Sequence, residues 1–196
     1  MKQMIKTKKR GSLIIISGTT CAGKGSVIKK VLEDNPNMSL SISYTSRKMR
    51  KGEEEGVDYY FITREEFEQK IKNGDLLEYA KVRYGEYFGT PKDKIEDLLN
   101  EGRDVILEID VQGAKQVKEI LPETILIFIV APSMSEIKRR IKARGAETNE
   151  QILDRFETAY REINEIPKYN YIVVNDELDE AVKKVEAIII SEKCRV

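Results

Sequence analysis

Lys24 stands between Gly23 and Gly25, with Gly18 upstream and Ser26 downstream. An apolar run, Leu13 to Ile16, leads into this cluster, and Val27, Ile28, Val31 and Leu32 follow it at helical spacing. A strand, a glycine loop and a helix start, in that order, are what a phosphate-binding loop needs. The backbone N–H groups of the tight loop and of the first helical turn converge on one spot, where an anion is stabilised. Gly18 and Gly23 let the backbone close around phosphate oxygens, Thr19, Thr20, Cys21 and Ala22 span the turn between them, and Lys24 adds a mobile positive charge. The usual pattern puts a hydroxyl residue directly after the lysine. Here Gly25 intervenes and Ser26 supplies the hydroxyl.

Arginines form the second set of candidates. Arg47 and Arg50 lie three residues apart in SISYTSRKMR, just after an alternating stretch that predicts a strand over Met38 to Tyr44. Arg140 and Arg144 sit at i, i+4 on one predicted helix, and Arg155 lies on the next. Lys plus Arg and Asp plus Glu both number 34, so the net charge is zero and no global field draws the chain to nucleic acid or membrane. Clustered arginines in a neutral chain point to a polyanionic substrate, or to solvated faces paired with glutamates. Histidine is absent, which excludes Ser-His-Asp and Cys-His catalysis. The two cysteines, Cys21 and Cys194, have no framework spacing and read as free thiols of a reducing, cytoplasmic compartment. No segment has the length of a membrane span, and the basic start, MKQMIKTKKR, reads as a solvated tail.

These residues must be positioned by alternating strands and helices. Strands are expected at Leu13–Ile16, Asp104–Asp110, Thr124–Val130 and Tyr171–Val174, and helices from Ser26, Pro91, Val111, Ser133, Asn149 and Leu178. TILIFIV is apolar throughout, as a strand buried on both faces should be. The pattern predicts a doubly wound parallel α/β sheet with helices on both faces. A mixed stretch, with short strands at Tyr59–Ile62 and Leu76–Val82 around a helix at Arg64–Lys72, reads as an inserted α+β lobe. The expected division is a single domain, with a core at 12–36 and 91–196 and a lobe at about 37–90.

Beyond the loop, the ordered stretches S-x-x-x-R-x-x-R followed by GEEEGVDYYF, then LEYAKV, GEYFGTP, VILEIDVQGA, RRIKARGAET and IVVND carry a resemblance. Together they identify the chain as similar to the guanylate kinases, P-loop nucleoside monophosphate kinases, from Leu13 to about Ile190. The resemblance implies a P-loop NTPase-type core, an inserted GMP-binding lobe and a small helical lid at about 140–156, and transfer of the γ-phosphoryl of ATP to GMP, and to dGMP, with Mg²⁺. Lys24 and the loop, Gly18 to Ser26, would hold the ATP phosphates, with Asn175 near the adenine. Arg47, Arg50 and Tyr59 would grip the GMP phosphate. Glu78, with Ser43, Thr90 and Asp110, would read the guanine edge. Arg140, Arg144 and Arg155 would close over the transferring group. Gly-Ser after the loop lysine also occurs among these kinases, which makes Ser26 the candidate hydroxyl near Mg²⁺. Glu108, ending an apolar strand, is the acidic candidate for the metal's water shell. A monomer or a homodimer fits equally.

The residue chemistry agrees. Guanine presents adjacent donors at N1 and N2, and a carboxylate is an acceptor that takes both at once. The attacking group is a phosphate oxygen, already ionised, so no histidine is needed as general base.

The chain departs from the family's usual pattern in three places. Cys21 stands where the loop commonly has glycine, and a side chain fits there if φ stays negative. Phe88 stands where a phosphate-contacting tyrosine is common, with Tyr84 nearby as a substitute. Met49 replaces a proline before Arg50. Two rival readings remain: a guanylate-kinase-like module that binds a protein partner without catalysis, and a kinase for another phosphorylated acceptor. Retention of Lys24, Arg47, Arg50, Arg140, Arg144 and Arg155 argues against the first, and of Glu78 with Asp110 against the second.

Overall fold

Leu13–Gly18 form β1, buried along its whole length because it lies between two other strands and beneath helices on both faces. The structure, a computed structural model, describes residues 10–82, 85–143 and 149–195, with the backbone alone at Asn149 and Gln151. Along the chain follow α1 (Lys24–Asp34), β2 (Met38–Leu40), β3 (Tyr44–Thr45), β4 (Tyr60–Phe61), α2 (Arg64–Asn73), β5 (Leu76–Lys81) and β6 (Tyr87–Pro91). Then come α3 (Lys92–Asn100), β7 (Asp104–Glu108), α4 (Val111–Ile120), β8 (Ile125–Val130), α5 (Met134–Ala143), α6 (Asn149–Ile163), β9 (Tyr171–Val174) and α7 (Leu178–Lys193).

Five strands make a parallel sheet in the order β2-β7-β1-β8-β9. Alternate residues of each strand point to opposite faces, and both faces are apolar. Ile14 and Ile16 of β1 join Val27, Ile28 and Val31 of α1 and Ala181, Val182, Val185 and Ile189 of α7. Leu13 and Ile15 face the other way, onto Ile95 and Leu99 of α3 and Ala114 and Val117 of α4. The predicted doubly wound sheet is therefore present, and β1 ends at its centre with the loop at its C-terminal edge.

A second sheet, in the order β4-β3-β6-β5, is mixed and covered by α2, with Tyr44, Phe67, Leu76 and Tyr87 as its core. A capping box between Thr63 and Glu66 starts α2, and Gly74 ends it in the left-handed conformation. A smaller cluster of Ala131, Ile137, Ile141 and Ala159 joins α5 to α6, with Cys21, Met134, Ile152 and Ile163 against it.

Two sequence expectations are corrected. Met38 to Tyr44 is not one strand: Met38–Leu40 pairs with β7 in the large sheet, Ser41 N–H makes a last bond to Ile106 O, and Tyr44–Thr45 belongs to the second sheet. A strand cannot serve two sheets without breaking its ladder, so the alternation spans a corner. The second correction is β6, which was not expected because Gly89 and Pro91 weaken its strand signal. Its pairing with β3 on one side and β5 on the other supplies what propensity lacks. Pro91 consequently ends β6, and α3, expected to start at Pro91, starts at Lys92.

Candidate active site

The phosphate loop takes the shape its glycines permit. Gly23 has φ 85°, a conformation that favours glycine, and a Cβ there would lie 2.5 Å from Asn175 Nδ2 and push on that side chain. No side chain caps the start of α1 at Gly23. Its first N–H groups are left for an anion. Lys24 Nζ donates to Gly18 O at 2.9 Å and Thr19 O at 3.4 Å, folded back over its own loop. Cys21 corrects an expectation: its φ is 57°, left-handed and not negative. The turn that brings Thr19 and Ala22 together, through Ala22 N–H to Thr19 O at 3.1 Å, holds it there, at a cost of about 1–2 kcal/mol for a residue with a Cβ.

The loop is braced from outside. Asn175 is buried, and its Nδ2 donates to Ala22 O at 2.7 Å. Arg140, on α5, donates to Asn175 O at 3.0 Å, to Ala22 O at 3.4 Å and, through Nε, to Glu136 at 2.6 Å. Arg139 and Arg140 together hold the Glu136 carboxyl down at about 2. Glu162 of α6 accepts from Thr20 N–H at 3.0 Å. Arg155 is half-buried on α6, while Arg144 lies outside the described residues.

Ser26 is exposed on the first turn of α1, and Glu108 is exposed at the end of β7, with its Oε2 4.0 Å from the Cβ position of Gly25. These are hard oxygen donors beside the phosphate loop, a donor set that suits Mg²⁺ held partly by water and phosphate. Among the described residues no group of three His, Cys, Asp or Glu side chains forms a metal cage.

A second set of groups converges at the edge of the smaller sheet. Glu78 lies on β5 opposite Thr90 of β6, past an irregularity after Leu76. Tyr44 pairs with Gly89, and Ser43 stands immediately before it, its carbonyl accepting from Tyr60 N–H at 2.9 Å. Glu78 is only 7% exposed. Its Oε1 accepts from Thr90 Oγ1 at 2.6 Å. Burial raises its carboxyl above the usual range, the Thr90 hydroxyl opposes this, and the nearby Asp110 adds to it. Gly113, in α4, leaves room for this carboxylate: a Cβ would come within 2.9 Å of Glu78 Oε2. Asp110 caps α4, Oδ1 accepting from Gln112 and Gly113 N–H at 2.9 Å each.

Arg47 is buried and gripped by Glu53 in a two-pronged pair, at 2.7 and 3.0 Å, and donates to Lys48 O at 2.8 Å. Its guanidinium lies 5.5 Å from the centre of the Tyr59 ring and 5.8 Å from that of Phe61. Arg47 lowers the Glu53 carboxyl, with help from the Arg50 N–H at 2.7 Å. The Arg50 and Met49 side chains are exposed. Phe88 packs edge-on against Tyr59 with centroids 5.5 Å apart, so this departure holds a ring in place instead of offering a hydroxyl. Tyr84 lies outside the described residues.

The structure thus groups Gly18–Ser26 with Arg140 and Asn175, groups Glu78, Thr90 and Asp110, sets Arg47 beside Tyr59, and leaves Ser43 just before β3 with no described contact to Glu78. The sequence reading missed Glu53, Gly113 and Glu162. A glycine inside a predicted helix was the available signal for Gly113. Glu53 was hidden in an acidic run, and nothing local marks Glu162.

A family model described as guanylate kinase matches residues 10–192. A guanylate kinase of Clostridium perfringens strain SM101 is 53% identical over 196 residues, covering 100% of this chain and 90% of the relative. That of Clostridium tetani is 56% identical over 187 residues, covering 95% and 89%. The crystal structure of guanylate kinase from Anaplasma phagocytophilum superposes with a TM-score of 0.77 at 34% identity, over 97% of this chain and 90% of that one. With a braced phosphate loop and a buried carboxylate in the second sheet, this chain belongs to the guanylate kinase family.

Proposed function

We propose that the protein transfers the γ-phosphoryl group of ATP to GMP, giving ADP and GDP. The observation that carries this reading is the Glu78 carboxylate, buried against Thr90 in a chain that also holds a phosphate loop. A guanine offers N1–H and N2–H to such an acceptor, whereas adenine presents a lone pair at N1 and is rejected. Asp110 and Ser43 would complete the edge-reading set. Arg47, Arg50 and Tyr59 would receive the GMP phosphate.

An oxygen of that phosphate attacks the γ-phosphorus in line, and the bond to the oxygen retained by ADP breaks. No proton need leave first. The protein's task is to bring two anions together and stabilise charge on the moving group. Lys24 leaves the Gly18 and Thr19 carbonyls for the phosphates, the α1 N-terminus supplies N–H donors, and Arg140, Arg144 and Arg155 approach from the lid. Asn175 holds the loop by Ala22 O, at the side where the adenine would lie. Mg²⁺, held by Ser26 and through water by Glu108, would neutralise charge on the phosphate oxygens. Closure of the lid region, about 140–156, over both substrates keeps water from the γ-phosphate.

The test is ADP production from ATP and Mg²⁺ with GMP, dGMP, AMP, UMP or no acceptor. Turnover with GMP, with or without dGMP, is expected. Silence from a folded protein with every acceptor would overturn the reading in favour of a binding module, and preference for AMP or UMP would overturn the role of Glu78.

A further inference from the structure

Glu162 lies outside the stretches that carry the resemblance, yet its carboxylate touches the phosphate loop. It lies at the C-terminal end of α6, half-buried, with Oε2 3.0 Å from Thr20 N. Burial raises its carboxyl above the usual range, while the Thr20 N–H and the charge of Lys24 oppose that rise; Asp110 raises it and Arg161 lowers it. A carboxylate beside an anion-binding loop repels a triphosphate. Its place there calls for a compensating role.

Position along α6 suggests that role. Arg155 and Glu162 are seven residues apart, two helical turns, so they share a face about 10 Å apart along the axis. α6 is also attached through apolar contact: Ala159, Ile152 and Ile163 lie in the cluster with Ile137 and Ile141 of α5. Apolar contact fixes the separation of two helices but resists rolling and sliding weakly, because it is not directional. A hydrogen bond to one loop amide is directional and fixes both.

We infer that Glu162 is a positioning residue for phosphoryl transfer, fastening α6 to the phosphate loop through Thr20 so that Arg155 is held in register with the phosphate seated there. The inference rests on the GMP-kinase reading above. It separates Glu162 from a merely structural acid, whose loss would lower stability without acting through Arg155.

The experiment is a double-mutant cycle on the full chain, with kcat and KM measured for GMP and ATP and folding followed by thermal melts. Glu162→Ala is expected to lower kcat by roughly 10²-fold, the cost of misplacing a group by about 1 Å, with KM for GMP within about twofold. Glu162→Gln keeps an oxygen for the Thr20 N–H and should stay within about fivefold of the unsubstituted kcat. Glu162→Asp, shortened by one methylene, should behave as Glu162→Ala and serves if that variant does not fold. Combined with Arg155→Ala, the loss should be no greater than from Arg155→Ala alone, within about threefold. Multiplicative losses, an unaffected kcat, or a loss confined to KM for GMP would each overturn the inference. If the unsubstituted protein is silent with GMP, the GMP-kinase reading fails and this inference fails with it; an active protein indifferent to Glu162 overturns this inference alone.

Discussion

The phosphate loop and the second sheet hold their cations in opposite ways. Lys24 rests on two neutral carbonyls of its own loop, partners that an incoming phosphate readily outbids. Arg47 is held by a carboxylate, in a fork reinforced by the Arg50 N–H and faced by two aromatic rings. On the GMP-kinase reading, the Lys24 side chain would therefore swing to the phosphates while its loop, strained at Cys21, stays braced, and Arg47 on the acceptor side would be set before substrate arrives. On that reading, the arginine meant for the acceptor is fixed in advance, and the lysine meant for the triphosphate is left on partners that it can exchange.

The most severe way to break this contrast is at Glu78. Glu78→Gln replaces an acceptor with a group that offers donors, and kcat/KM for GMP should fall by roughly 10⁴-fold. The same change should raise the thermal midpoint near pH 7. Burial raises the Glu78 carboxyl, so its stabilising contribution is complete below the unfolded value and is lost as pH rises through the folded one; the neutral amide escapes that loss. In the unsubstituted protein, KM for GMP should rise as pH falls toward the raised value. An unchanged KM across that range would show that Glu78 does not receive the base.

Gly113→Ala tests the stiffness directly. A methyl 2.9 Å from Glu78 Oε2 must displace the carboxylate, and kcat/KM for GMP should drop by about 10²-fold with the far-ultraviolet spectrum unchanged. Normal GMP kinetics in this variant would mean that the second sheet is as adjustable as the loop. Glu53→Ala removes the partner of Arg47, and KM for GMP should rise about tenfold with a smaller change in kcat. A fall in KM would identify Glu53 as a competitor for the phosphate instead of an organiser. The smallest effect is expected at Cys21→Gly. Relief of the left-handed strain should stabilise the fold by about 1 kcal/mol, read as a higher urea midpoint at constant m.

Much of this arrangement was legible in the residues. The apolar runs at Leu13 and Thr124 fixed buried parallel strands, and the glycine spacing around Lys24 fixed the loop, because periodicity and glycine placement are local signals. The hairpin of β5 and β6 brings Glu78 to Thr90, but the seat of β3 beside β6 depends on pairing residues more than 40 apart, Tyr44 with Gly89 and Thr45 with Phe88, and β6 gains its strand character only from its two neighbours. Arg47 was chosen as a cation, but Glu53, its partner, looked like any acid of a charged turn. The sign of φ at Cys21 could not be read from its side chain, since the surrounding turn imposes it.

The packing of α1 against α7 has a consequence for how the protein is made. Val27, Ile28 and Val31, directly after the phosphate loop, are covered by Ala181, Val182, Val185 and Ile189. During synthesis the loop emerges early, but the helix that seals its back is translated more than 150 residues later, on the order of ten seconds or more at ordinary elongation rates. A ribosome-bound chain that stops short of Leu178 leaves an apolar stripe of α1 open, a natural site for a chaperone. Nucleotide capture should therefore wait until α7 has been made and packs on α1.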